Sequence, residues 1–127
     1  MQPGHSEDTE TCQRISQLLS RVGDKWVMLV IRMLGGGPQR FNALRREIGD
    51  ISQKMLATTL KNLERDGFVS RTVTPTKPPQ VEYALTALGR DLQRPVFALA
   101  QWTSDNAHRI EAARRAYDGG DTRIAAE

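Results

Sequence analysis

At Gly67 the hydrophobic period of the sequence switches, and few architectures accommodate such a switch. Before it, Leu56, Leu60 and Leu63 recur at i, i+4, i+7, the spacing of one stripe on a helix. After it, Val69, Arg71 and Val73 alternate with Ser70 and Thr72, and Val81, Tyr83 and Leu85 alternate with Glu82 and Ala84, as strands do. Thr74-Pro75-Thr76-Lys77-Pro78-Pro79-Gln80 lies between them. Its three prolines fix φ and remove donors, so this segment is a stiff loop and not a central strand. Gly67 suits the junction because glycine enters the left-handed conformation without steric cost. Helices followed by a hairpin make the expected fold mainly α with a small β-hairpin.

The preceding residues supply the other helices. Ile15, Leu18, Leu19 and Val22 mark a first helix that Gly23 ends. Asp24 caps a second, apolar nearly all round from Trp26 to Leu34, which belongs at the centre of the core. Gly35-Gly36-Gly37-Pro38 breaks it. A short third helix turns Phe41, Leu44 and Ile48 inward and Asn42, Arg45 and Arg46 outward. Gly49-Asp50 then leads into a fourth helix over 52–66, with Ser52 as its N-cap. Two short helices joined by a tight glycine-containing turn make a helix-turn-helix, and the hairpin after it makes a wing. The arrangement is a winged helix-turn-helix.

Thr86 opens a last helix whose stripe runs through Leu88, Leu92, Val96, Leu99 and Trp102 and on to Ile110, Ala113 and Tyr117, with Pro95 expected to kink or interrupt it. A stripe of this length exceeds what a three-helix core covers, so a second subunit is the expected cover, against the alternative that it folds back on its own core. The N- and C-terminal helices are therefore read as dimerisation helices. The expected organisation is a flexible tail over 1–11, the winged domain over 12–118 with its wing hairpin at 68–86, and a second flexible tail over 119–127.

With 127 residues, the chain is long enough for one domain. The net charge of +3 is modest but unevenly placed: residues 38–77 carry eight basic and four acidic side chains, which leaves the remainder slightly acidic. The front of the fourth helix, opposite its leucines, is Gln53, Lys54, Ala57, Thr58 and Lys61. Amide, hydroxyl and ammonium groups on a helix with a dry back suit a DNA major groove; the alternative is an ordinary solvated face. A single cysteine excludes an internal disulfide and points to a reducing compartment. An acidic first eleven residues and the lack of a long apolar run place the protein in the cytoplasm, away from membranes. His5, His108 and Cys12 have no familiar metal-site spacing, and no nucleophile elbow or P-loop occurs. An enzyme is not expected, nor is a cofactor.

These residues resemble the HxlR-type winged-helix transcription regulators. The resemblance rests on Gly-Asp-Lys-Trp at 23–26, Gly-Pro-Gln-Arg-Phe-Asn-Ala-Leu at 37–44 and Ile-Ser-Gln-Lys-Met-Leu-Ala-Thr-Thr-Leu at 51–60. Leu-Glu-Arg-Asp-Gly-Phe-Val at 63–69, Pro-Pro-Gln-Val-Glu-Tyr-Ala-Leu-Thr-Ala-Leu-Gly at 78–89 and Trp102 extend it. It implies a homodimeric bacterial DNA-binding regulator, in several relatives a redox or electrophile sensor that uses a cysteine near the N-terminus. Cys12 lies near that position, although Gln13 follows it where the family usually has proline. With no second cysteine, a disulfide would join Cys12 to the partner's Cys12 or to a small thiol.

Ser52, Gln53, Lys54, Thr58 and Lys61 are accordingly expected to meet DNA, with Arg40 and Asn42 on backbone phosphates and Lys77 at phosphate or minor groove. Arg71 is a further candidate that Glu82 would neutralise if the two faced each other across the hairpin. Arg45 and Arg46 are either phosphate contacts or solvated face. Cys12 is either a sensing thiol, with Arg14 and Lys25 as candidate cations, or a small buried hydrophobe. Trp26, Phe41, Phe68, Tyr83, Phe97 and Trp102 are read first as core. The expected protein is a dimeric repressor on an inverted-repeat operator in double-stranded DNA. It would respond to oxidation or electrophile modification of Cys12 or, alternatively, to a small-molecule inducer near the dimer helices. A winged-helix protein-interaction module without DNA binding is the alternative from another class.

Overall fold

A computed structural model, which describes residues 5–119, contains five helices and three short strands among those residues. The order is α1 (His5–Val22), α2 (Lys25–Leu34), β1 (Gln39–Arg40), α3 (Phe41–Ile48), α4 (Gln53–Arg65), β2 (Val69–Thr74), β3 (Gln80–Leu85) and α5 (Ala87–Gly119). The chain divides into two compact units between Arg94 and Pro95.

Local chemistry sets the helix ends in the first unit. The Asp24 carboxylate accepts the N–H groups of Trp26 (2.8 Å) and Val27 (3.2 Å), which starts α2. At the other end of α4, Gly67 takes φ +86°, Phe68 N–H donates to the Leu63 carbonyl, and Gly67 N–H donates to that of Glu64. These two bonds are the Schellman pattern, which satisfies carbonyls the helix would otherwise leave open. Thr86 then pins the start of α5 to this junction. Its hydroxyl donates to the Gly67 carbonyl (2.6 Å) and accepts from Gly89 N–H (3.1 Å), while its own N–H reaches the Phe68 carbonyl.

The core follows the stripes. Val27, Val30, Ile31 and Leu34 of α2, Leu44 of α3, and Leu56, Leu60 and Leu63 of α4 are buried, together with Ile51, Val69 and Leu85. Helix α2 is central and packs on α3, α4 and β3. Gln39 closes the base: its side-chain amide donates to the Met33 carbonyl (3.0 Å) and the Glu47 carboxylate (2.8 Å), tying the end of α2 to the last turn of α3.

Several expectations need correction. The stretch 1–11, expected as a flexible tail, is helical from His5 onward. Once a helix is nucleated, each further residue adds a bond, so a polar stretch without Gly or Pro prolongs it. Residues 1–4 and 120–127 lie outside the described residues. The expected hairpin of β2 and β3 is present, and Gln39 and Arg40 add a third strand to it by pairing with Tyr83 and Glu82, which gives an antiparallel sheet in the order β1-β3-β2. The register places Tyr83 opposite Arg71 and Glu82 opposite Thr72, so Glu82 does not face Arg71. Pro95 does not interrupt α5, which runs unbroken through it; the missing N–H removes one bond of the ladder and leaves those of the flanking turns.

Of the aromatic residues expected in the core, Trp26, Phe41, Phe68 and Tyr83 are half-buried. Phe97 and Trp102 are 46% and 55% exposed. They belong to the second unit, whose described residues are the remainder of α5 alone.

Candidate nucleic-acid interface

Helix α4 is built with two unlike sides. Leu56, Leu60 and Leu63 have no exposed surface, whereas Gln53, Lys54, Ala57, Thr58 and Lys61 are all exposed. The Ser52 hydroxyl accepts Met55 N–H at 3.0 Å and caps the helix. That leaves the N–H groups of Gln53 and Lys54 without an intrahelical acceptor, pointing along the positive end of the helix dipole. The exposed end of α4 thus combines free backbone donors, an amide and an ammonium, the set that binds phosphate and base edges. Replacing Ser52 by alanine is expected to lower stability by about 0.5–2 kcal/mol through loss of the cap, measurable as a shift in the denaturant midpoint at constant slope.

The turn before α4 is held from both sides. Gly49 takes φ +94°, and buried Ile51 plugs the turn into the core. The Arg45 guanidinium donates through Nε to the Ile51 carbonyl (3.3 Å), spanning the turn. Arg45, read from sequence as either phosphate contact or solvated face, is therefore tied into the helix-turn-helix itself.

Arg40 and Asn42 are brought to the base of the wing. Arg40 donates to the Gln80 side-chain carbonyl. A concavity of about 480 Å³ opens between the start of α3 and Pro78, Pro79 and Gln80. Strand β1 produces this meeting, because its pairing with β3 lays the start of α3 beside the end of the loop. Lys77 is exposed in that loop. Arg71 is exposed on β2, the far strand of the sheet from β1, and is not drawn into the Arg40 group. The roles of Gln39 and Gln80 have no periodic signal in the sequence; each is fixed by a partner elsewhere in the chain.

The only ion pair among the described residues joins Arg21 of α1 to Asp66, the C-cap of α4, at 2.8 Å. Cys12 is exposed on α1, so in the single chain it is not the small buried hydrophobe of the alternative reading. It sits by a shallow concavity of about 440 Å³ with Ile15, Ser16 and Leu19. Of the two candidate cations, Lys25 lies instead 4.5 Å from the centre of the Trp26 ring. Ile15, Leu18 and Leu19 on the same helix are 50%, 56% and 61% exposed. Among the described residues no cluster of three His, Cys, Asp or Glu gathers as a metal ion requires, and no helix is long and apolar enough to cross a membrane.

Comparison with known proteins agrees with this geometry. The chain is 44% identical over 98 residues to the HTH-type transcriptional regulator YtfH of Escherichia coli (strain K12), which spans 77% of this chain and 78% of that one. The solved structure of the regulator ytfH from Salmonella typhimurium superposes with a TM-score of 0.74 at 42% identity, over 79% of this chain and 89% of that one. The redox regulator HypR in its reduced form gives a TM-score of 0.73 at 36% identity, over 78% and 98% of the two chains. Residues 21–111 match the HxlR-like helix-turn-helix family. The relatives are transcription regulators and not enzymes. The chain, with its winged helix-turn-helix, belongs to the HxlR-like helix-turn-helix family.

Proposed function

We propose that the protein is a dimeric, sequence-specific DNA-binding repressor, acting in the cytoplasm and switched by chemistry at Cys12. The observation that carries the DNA reading is the two-sided α4, whose exposed front of Gln53, Lys54, Thr58 and Lys61 stands on a fully buried back. Gln53 and Thr58 read base edges, while Ser52, Lys54, Lys61, Arg40, Asn42, Arg71 and Lys77 hold phosphates or line the wing. The exposed stripe Ile15, Leu18 and Leu19 on α1 supports dimerisation, as do Leu99, Trp102 and Tyr117, which are exposed along one face of α5. Two-fold symmetry then asks for an inverted repeat with half-sites about 10–10.5 bp apart or a multiple of that. The thiol switch is supported by the exposure of Cys12 and by the likeness to HypR, a redox regulator. Since Cys12 is the sole cysteine, its oxidised form is a disulfide to the partner's Cys12 or to a small thiol.

The test is fluorescence anisotropy on the DNA upstream of the protein's own gene, with reduced protein, diamide-treated protein and Cys12→Ser under both conditions. The expected result is specific binding that oxidation abolishes in the wild type and leaves intact in Cys12→Ser. Specific binding indifferent to diamide removes the thiol switch and keeps the regulator. Absence of any preference for that DNA over an unrelated duplex, at every salt concentration, counts against the regulator itself.

A further inference from the structure

Two concavities on the surface of the first unit share a wall. The first, at the base of the wing, includes Arg40, Asn42, Arg46, Pro78 and Pro79. The second, about 340 Å³, is lined by Asn42, Arg45, Arg46 and Gly49. Asn42 and Arg46 line both, so one trough crosses the outward face of α3 from the wing to the turn before α4. The sequence places it there: Asn42 and Arg46, at i and i+4, share one face of α3, and Gly49 caps the end of that helix. No residue lining either concavity is acidic.

The three arginines of the trough are not equivalent. Arg40 donates to Gln80, and Arg45 donates to the Ile51 carbonyl. Arg46 is exposed, and its side chain has no hydrogen bond or ion pair with any described residue. Its five N–H donors, on a group that is always charged, are unspent. The wing end of the trough adds the apolar faces of Pro78 and Pro79. Fixed positive charge along one side and a dry ledge at one end match a sugar–phosphate strand, which presents charged phosphates and the CH faces of its sugars.

We infer that this trough carries the backbone of one strand of the DNA duplex, with Arg46 as its central phosphate ligand and Asn42 donating beside it. A deoxyribose lies on Pro78 and Pro79. Arg45 is a positioning residue: it sets the turn, and through it the entry angle of α4, without touching phosphate. The inference rests on the DNA-binding reading above and deepens it, by giving the path of the strand and by separating two adjacent arginines that sequence leaves alike.

The experiment measures binding of the full-length protein to the upstream DNA and to an unrelated duplex over about 50–300 mM salt, for wild type, Arg46→Gln, Arg46→Lys and Arg45→Gln. Each lost phosphate contact removes about 0.9 from the log–log salt slope, so Arg46→Gln in a dimer flattens it by about 1.8 on both duplexes. Binding to both weakens by the same factor, about tenfold or more near 0.1 M salt. Arg46→Lys keeps the charge and restores the slope. Arg45→Gln keeps the wild-type slope and loses preference for the upstream DNA. An unchanged slope in Arg46→Gln overturns the inference, as does displacement of DNA by poly-glutamate as effective as by duplex of equal charge. If wild type shows no preference for the upstream DNA, the regulator reading fails, while the slope on the unrelated duplex still decides whether the strand runs along Arg46.

Discussion

Leu60→Ala is expected to destabilise the first unit by about 2–5 kcal/mol. Leu60 has no exposed surface and lies midway along α4 between Leu56 and Leu63, which are equally enclosed. Truncating its side chain to a methyl group leaves a cavity walled by α2 and the neighbouring leucines, and a backbone fixed by caps at Ser52 and Gly67 cannot collapse into it. Domains of this size have a total stability of about 5–15 kcal/mol, so the loss takes a large share of it. Urea unfolding followed by far-ultraviolet circular dichroism measures it as a lower midpoint at constant slope. Thr58→Ala, two positions away but on the exposed front, is expected to change stability by less than about 0.5 kcal/mol. A Leu60→Ala protein as stable as wild type would mean that α4 does not supply the core.

Gly89→Ala is the second change with a large expected effect. A Cβ at Gly89 would stand 2.1 Å from the Phe68 carbonyl oxygen and 3.1 Å from its carbon, with Leu85 closing the third side. The obstacle is backbone, and it is held: the same carbonyl accepts the N–H of Thr86 at 3.0 Å. The methyl group therefore displaces the first turn of α5 from the start of β2. A destabilisation near the upper end of the usual 1–3 kcal/mol for overpacking follows, about 10 °C or more in Tm by calorimetry. Gly119→Ala is the control, since nothing lies within 4 Å of its added Cβ. Equal melting temperatures for the two variants would refute the close approach.

How much of this was legible in the sequence depended on distance along the chain. Asp24, Ser52 and Gly67 act on atoms within about four residues, and the sequence alone identifies each as a helix end. The leucine stripe of α4 is equally local. Gln39 and Gln80 escape such reading, because the partner of Arg40 lies forty residues away and that of Gln39 is a carbonyl at the end of another helix. Strand β1 is only two residues long and has no period of its own; β3 makes it a strand. The register of the hairpin was within reach, since counting outward from Lys77 at the centre of the loop places Tyr83, not Glu82, opposite Arg71. Arg45 and Arg46 are neighbours of one chemical type, and only the turn carbonyl that Arg45 meets tells them apart.

The division of α4 into a wholly enclosed back and a wholly exposed front also bears on how such proteins diversify. On the proposed DNA-binding reading, mutations at Gln53, Lys54, Thr58 or Lys61 would alter what the helix reads while leaving the packed side untouched, and surface changes of that kind seldom exceed about 0.5 kcal/mol. On that same reading, duplicated genes would drift to new operators without first crossing a valley of unfolded intermediates. The leucines beneath carry the opposite burden, tolerating little variation while the letters above them are rewritten.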